Sequence, residues 1–243
     1  MNAKMTPEEM VARLLYRDAL MLVIDKPAGY AVHKGPKGGE SLEDHFDALR
    51  FGLPRRPALA HRLDRETSGC LVLGRHRKAL AELGKLFKQG RVGKTYWAAV
   101  EGGPAEDEGR VELALGRLDD TRGWWMKPDP AGQPAVTTWK VMGRARLQAS
   151  TQHVTWLALE PLTGRTHQLR VHCAAMGWPI LGDSIYGNAP RSGGPPLHLH
   201  SREVVVPLYK NRAAIRVSAP VPLPMYDTLT ACGWQGEVFK LAN

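Results

Sequence analysis

The apolar residues of this 243-residue chain come in short runs, each closed by Gly or Pro, and that punctuation limits the elements it can build. Residues 20–24, Leu-Met-Leu-Val-Ile, have the length of a strand and stop at Asp25-Lys26-Pro27-Ala28-Gly29, where Pro removes a backbone donor and Gly admits a turn. Residues 69–74, Gly-Cys-Leu-Val-Leu-Gly, form a second, almost wholly apolar run. Residues 95–100, 137–141 and 154–159 read as further strands, with shorter ones at 30–33, 111–113, 204–206 and 214–217 and a hairpin near Gly123. Helices are fewer. Thr6 as N-cap, Pro7 at the first helical position and Glu8-Glu9 over the positive end of the dipole predict a helix over about 6–16. Ser41 opens an amphipathic helix over 41–50. Leu80, Leu83 and Phe87 give residues 78–88 helical spacing, and residues 164–177 begin as a turn and continue with a period of about 3.6. Strands that outnumber helices, joined by both hairpins and helices, point to an α+β fold with a mixed, largely antiparallel sheet and flanking helices. No Gly-rich phosphate motif follows a strand, so neither a doubly wound fold nor a nucleotide cofactor is expected.

Composition is that of a globular chain, 43% hydrophobic and 23% charged, which excludes disordered and fibrous classes. Three cysteines at wide spacing provide neither a disulfide framework nor a metal knuckle. No run approaches the ~18 apolar residues that a membrane span needs, and the first residues lack the pattern of a secretory signal. A cytoplasmic monomer with no membrane partner is the expectation. The net charge of +9 is unevenly placed. Residues 50–94 hold twelve Lys or Arg against three Asp or Glu, a local excess equal to that of the whole chain. Such clustering fits either a solvated basic face or a polyanionic partner.

Within that basic stretch lies His61-Arg62-Leu63-Asp64-Arg65-Glu66-Thr67-Ser68-Gly69, one aspartate between two arginines at the mouth of an apolar strand. Taken alone, Asp64 reads first as a structural ion pair, and Tyr96 in Lys94-Thr95-Tyr96 as a half-buried strand aromatic. Together with Thr163-Gly164-Arg165-Thr166-His167-Gln168-Leu169-Arg170-Val171-His172, however, these segments resemble the three signature blocks of the RluA-type pseudouridine synthases. The block around Tyr16-Arg17-Asp18 to Gly29 and His33, the block over 177–187 with Gly182-Asp183 and Tyr186-Gly187, and Leu197-His198-Leu199-His200-Ser201 extend the resemblance in order over residues 16–220. In the last block Leu199 stands where the family usually has Ala. The family often carries an RNA-binding domain of the ribosomal-protein S4 type before its catalytic domain. The opening block starts within the first twenty residues here, so a single catalytic domain over 1–243 is expected, with the basic stretch left to select RNA.

The resemblance implies a pseudouridine synthase fold with a central catalytic cleft and an isomerase acting on a stem-loop of ribosomal RNA, transfer RNA or both, without cofactor. It assigns Asp64 as the catalytic carboxylate, expected to be buried, Arg170 as the guanidinium that keeps it ionised and oriented, and Tyr96 as the aromatic hydroxyl near uracil C5. Leu169 lines the uracil pocket and Arg62 fills the space left by a flipped base. Arg65 and Arg165 contact phosphates or hold local structure. His61 is counted with the substrate-binding residues, although it, Thr67 and Ser68 are expected mainly to fix the catalytic turn. A metal reading based on His167 with His172, or His198 with His200, lacks same-face spacing and an accompanying Cys or acidic ligand, so no metal is expected. A non-catalytic RNA-binding protein that kept the fold is the competing reading, and it gives no reason for a carboxylate in an anion-binding groove.

Overall fold

The computed structural model describes residues 5–35, 38–119, 124–147 and 153–236. In chain order the elements are α1 (Pro7–Ala12), β1 (Leu14–Arg17), β2 (Met21–Lys26), a 3-10 helix (Leu42–Leu49), β3 (Ala58–Leu59), β4 (Ser68–Gly74), α2 (Arg77–Lys88) and β5 (Gly93–Glu101). There follow β6 (Glu108–Glu112), β7 (Leu115–Arg117), β8 (Met126–Pro128), β9 (Val136–Arg146), β10 (His153–Pro161) and α3 (Gln168–Ala175). The last elements are β11 (Leu199–Val206), β12 (Ile215–Ser218), a 3-10 turn (Leu223–Met225) and α4 (Tyr226–Ala231). The chain divides into two compact units, residues 1–94 with 201–219, and residues 95–200 with 220–243.

In the first unit β2 is the antiparallel neighbour of both β1 and β4, and β3 adds to β4. β11 is a neighbour of β4, and its Glu203–Val206 part pairs with β12. β4 is buried along its whole length, which is why it reads as a continuous apolar run rather than an alternating one. Helix α2 turns Ala79, Leu83 and Leu86 inward and packs with Met21, Val23, Val72, Val92 and Val204 in one core. Asp18 organises the β1–β2 turn. One carboxylate oxygen accepts from the Leu20 and Met21 amides, and the other from the Tyr16 and Tyr209 hydroxyls.

In the second unit β10 pairs antiparallel with β5 and β9, β9 pairs with β6, and β7 with β8 form a separate hairpin. Val154, Trp156, Val221, Met225 and Leu229 form one core, while Leu115, Ala135 and Val171 form a smaller one where α3 meets the hairpin. The architecture is α+β with a mostly antiparallel strand pattern, as the sequence predicts.

Three local expectations are corrected. The first helix ends at Ala12 rather than near 16, because Leu14–Arg17 is drawn into pairing with β2 through Leu14 with Ile24 and Tyr16 with Val23. Residues 30–33 are not a strand. The Ala31 and Val32 carbonyls instead accept from the Leu42 and Glu43 amides and so anchor the start of the following helix. That helix, expected to be a regular amphipathic one, is 3-10 over Leu42–Leu49 and still buries Leu42, Phe46 and Leu49. Gly123 lies outside the described residues, and β7 and β8 pair on either side of it.

Candidate active site

The first unit carries His61, Arg62, Asp64 and Arg65 on the loop from β3 to β4, and its shape is dictated by a buried lysine. Lys26 closes β2 with no exposed surface. Its Nζ donates to three backbone carbonyls, Pro27 at 2.8 Å, Arg65 at 2.9 Å and Thr67 at 2.8 Å. Three acceptors match the three protons of an ammonium. Burial pushes Lys26 down to about 7, against the pull of Glu66, Asp64 and Asp25. A second stitch joins the same two loops: the Gly29 amide donates to the Arg65 carbonyl, and the Arg65 Nε donates to the Gly29 carbonyl, both at 2.9 Å. The turn itself closes where the Thr67 amide donates to the Asp64 carbonyl at 3.2 Å. Gly69 follows at φ 103°, a conformation that disfavours a side chain.

Because Leu63 takes the inward position of this turn, its neighbours face outward. Arg62 and Arg65 are exposed and Asp64 is half-buried, not buried as expected. His61 is a structural clamp: its Nε2 accepts from the Val72 amide at 3.0 Å and its ring stacks on Phe87 at 4.5 Å. Desolvation, with the Lys94 charge, pushes His61 down to about 3, so the imidazole is neutral. Arg65 spends its Nε on Gly29 and also reaches Glu66 at 3.4 Å.

The second unit carries Tyr96, Arg165, Leu169 and Arg170. Tyr96 sits in β5 opposite Leu159 of β10 and is buried. The turn before α3 is held by the buried Gln168 amide. Its carbonyl oxygen accepts from the Thr163 hydroxyl at 2.7 Å and the Arg165 amide at 3.0 Å, and its Nε2 donates to the Val136 carbonyl and the Thr137 hydroxyl. Arg165 Nε donates to the Pro134 carbonyl at 3.0 Å. His167 enters the helix in the left-handed region at φ 53°, a strained position for a residue with a Cβ.

Leu169 and Arg170 then fall on the buried first turn of α3. Arg170 Nε and Nη2 donate to the two oxygens of Asp183 at 2.8 and 2.7 Å, a bidentate pair buried on both sides. Burial raises the Asp183 carboxyl, but Arg170 and the Tyr186 and Ile185 amides outweigh it and hold the group below its ordinary range. The Arg170 guanidinium also lies over the Tyr186 ring at 5.2 Å.

Lys26, Gln168, Asp183 and Tyr186 are positioning residues that stand inside the motif blocks without an assigned role there. For Lys26 a signal existed, a lysine ending an apolar strand just before Pro. For Gln168 and Asp183 the partners lie 5 to 32 residues away, beyond what local periodicity carries.

Three of the four histidines considered for metal binding are spent on hydrogen bonds. His167 Nδ1 meets the Tyr186 hydroxyl, His172 meets the Thr137 hydroxyl and the Leu113 carbonyl, and His198 Nδ1 donates to the Pro196 carbonyl. Among the described residues no group of three His, Cys, Asp or Glu side chains could hold a metal ion. No helix among them is long and apolar enough to cross a membrane.

Residues 20–175 match the family model described as RNA pseudouridylate synthase. An RNA pseudouridine synthase of Zymomonas mobilis is 39% identical over 220 residues, covering 90% of this chain and 97% of its own. A ribosomal large subunit pseudouridine synthase D of Borreliella burgdorferi is 32% identical, over 84% of this chain and 64% of its own, and a tRNA pseudouridine synthase C of Pectobacterium carotovorum is 29% identical, over 92% and 62%. Among solved structures, human RNA pseudouridylate synthase domain containing 1 superposes with a TM-score of 0.73 at 30% identity, over 90% of this chain and 86% of that one. With its motifs in order, a family match over most of its length and relatives of this likeness, the chain belongs to the RNA pseudouridylate synthase family of RluA type, isomerases that act on RNA.

Proposed function

We propose that the protein converts specific uridines of ribosomal or transfer RNA to pseudouridine, with Asp64 as the essential carboxylate. The observation that carries this reading is the turn itself: one half-exposed aspartate between two exposed arginines, on a loop held by a buried ammonium. Isomerisation breaks the N1–C1′ bond, rotates the uracil and forms a C5–C1′ bond, with the C5 proton lost and one proton gained at N1. A carboxylate answers the positive charge that develops on the sugar, by bonding to it or as its counter-charge. Arg170 is assigned to the same chemistry as its guanidinium, Tyr96 as the aromatic hydroxyl for the uracil, and Leu169 as an apolar residue of the uracil pocket. The bidentate pair with buried Asp183 fixes two of the Arg170 guanidinium donors and so gives the side chain one orientation.

Extruding a stacked uridine costs a few kcal/mol. Arg62, exposed and two residues before Asp64, is the group that fills the vacated stack. Arg65 and Arg165 act mainly in local structure, given their bonds to Gly29 and Pro134. RNA docks on the basic stretch of residues 50–94. Helix α2 supports this, because Arg77, Lys78, Lys85 and Lys88 are all exposed while Ala79, Leu83 and Leu86 are buried. A monomeric state and a cytoplasmic location are part of the proposal, the location supported by three cysteines that are all free and buried.

The test is to map pseudouridine by carbodiimide adducts in ribosomal and transfer RNA incubated with wild type and with Asp64→Ala. Sites modified by wild type alone are expected. Modification by both proteins removes Asp64 from its role, and none by wild type in either RNA favours a protein that only binds.

A further inference from the structure

The β7–β8 hairpin of the second unit presents Trp124 to solvent, 56% exposed. An exposed indole offers a flat apolar face of the size a nucleobase can stack on. Trp124 is nonetheless held in place. Its indole meets the His167 ring edge-on, with centroids 5.0 Å apart and planes at 80°. His167 is buried and shares a 2.7 Å hydrogen bond with the Tyr186 hydroxyl. That hydroxyl also accepts from the Met126 amide of β8 at 2.9 Å, and the Tyr186 ring lies under Arg170. The hairpin is thereby tied through one tyrosine to the helix turn that carries Leu169 and Arg170, and the left-handed His167 is clamped between Trp124 and Tyr186.

The charges carried by this hairpin and its neighbour Arg191 select the partner. Arg117 at the end of β7 and Lys127 in β8 are exposed, and the Arg191 guanidinium sits over the neighbouring Trp125 ring at 5.4 Å. Against them stand the exposed carboxylate of Asp119 and that of Asp129, which accepts from the Ala131 amide. An apolar protein partner would leave these cations desolvated, whereas an unpaired nucleotide offers both a flat face for the indole and a phosphate for the cations.

We propose that Trp124 is a stacking platform for an unpaired base of the RNA substrate, with Arg117 supplying charge to its phosphates. The ligand class rests on the RNA pseudouridine synthase reading above. Stacking there bears on His167 and Tyr186, and through them on the α3 turn that holds Arg170.

The full-length protein, Trp124→Ala and Trp124→Tyr are titrated with decauridylate and with inorganic polyphosphate over a range of salt, alongside thermal unfolding. Trp124→Ala is expected to weaken decauridylate binding roughly 5- to 100-fold, with an unchanged slope of log affinity against log salt and an unchanged affinity for polyphosphate. Trp124→Tyr is expected to stay within a few-fold of wild type. The proposal is overturned if Trp124→Ala binds decauridylate as wild type does, if polyphosphate binding falls equally, if the loss tracks a lower thermal midpoint, or if wild type does not bind decauridylate. The enzymatic reading fails separately: loss of decauridylate binding in Trp124→Ala, with no pseudouridine formed by wild type, keeps the platform and removes the isomerase.

Discussion

Replacing Lys26 by Met keeps a linear apolar stem and removes the ammonium that ties β2 to the Asp64 turn. Three hydrogen bonds from a charged donor to the Pro27, Arg65 and Thr67 carbonyls are lost, each worth about 1.5–3 kcal/mol. Against that, the variant no longer desolvates a charge. A depression from 10.5 to about 7 corresponds to about 5 kcal/mol. The two nearly offset, so Lys26→Met is expected to lie between unchanged and about 4 kcal/mol less stable, or up to roughly 8–16 °C in thermal midpoint for a chain of this size. The loss is local first. The Gly29 and Thr67 amides, which donate to the Arg65 and Asp64 carbonyls, are expected to exchange with solvent faster than the amides of β4. Turnover on RNA falls by about tenfold or more as the carboxylate loses its position, while RNA affinity, which a fully buried residue does not touch, changes little. Thermal unfolding, amide exchange and single-turnover kinetics on the same preparation check all three. A Met variant with wild-type stability, wild-type protection at Gly29 and Thr67 and wild-type turnover would refute the claim that this lysine builds the site.

Two other predictions concern charge. Asp183→Asn breaks a buried bidentate pair and is expected to cost about 3–5 kcal/mol, read as a fall of about 10 °C in midpoint, although the Ile185 and Tyr186 amides keep an oxygen acceptor. Since the folded-state value of Asp183 lies below its ordinary one, its contribution is full above about pH 4 and is lost as pH falls through the folded value. Unfolding curves of wild type and variant should therefore converge toward low pH, and a constant gap would contradict the pairing. Changing Arg77, Lys78 and Lys88 together to Gln should reduce the slope of log RNA affinity against log salt by about 2 and raise KM. An unchanged slope would move the RNA away from α2.

What the sequence showed of this fold follows from how far each signal reaches. The buried β4 and the amphipathic α2 are local patterns, a continuous apolar run and a 3.6-residue period, and both are legible. The end of α1 is not, because only pairing with β2 decides that Leu14 to Arg17 extend. Asp64, Tyr96 and Arg170 were legible as members of ordered motifs. Their supports were not, since Lys26 meets Arg65 and Thr67 across 39 and 41 residues, and Trp124 stands beside His167 only because the chain returns there. The motif residues His61 and Gln168 act inside their own units: the His61 ring holds the Val72 amide, in line with its expected part in fixing the turn, and the Gln168 amide is bonded to the backbone of its own unit.

The most direct measurement is release of tritium from RNA labelled at uracil C5, because that proton leaves only if the base has been rejoined through C5. Wild type is expected to release label in step with pseudouridine formation, and Asp64→Asn, which keeps the shape of the side chain and removes its charge, to release none above background while still binding RNA. Label released by Asp64→Asn at the wild-type rate would contradict the account.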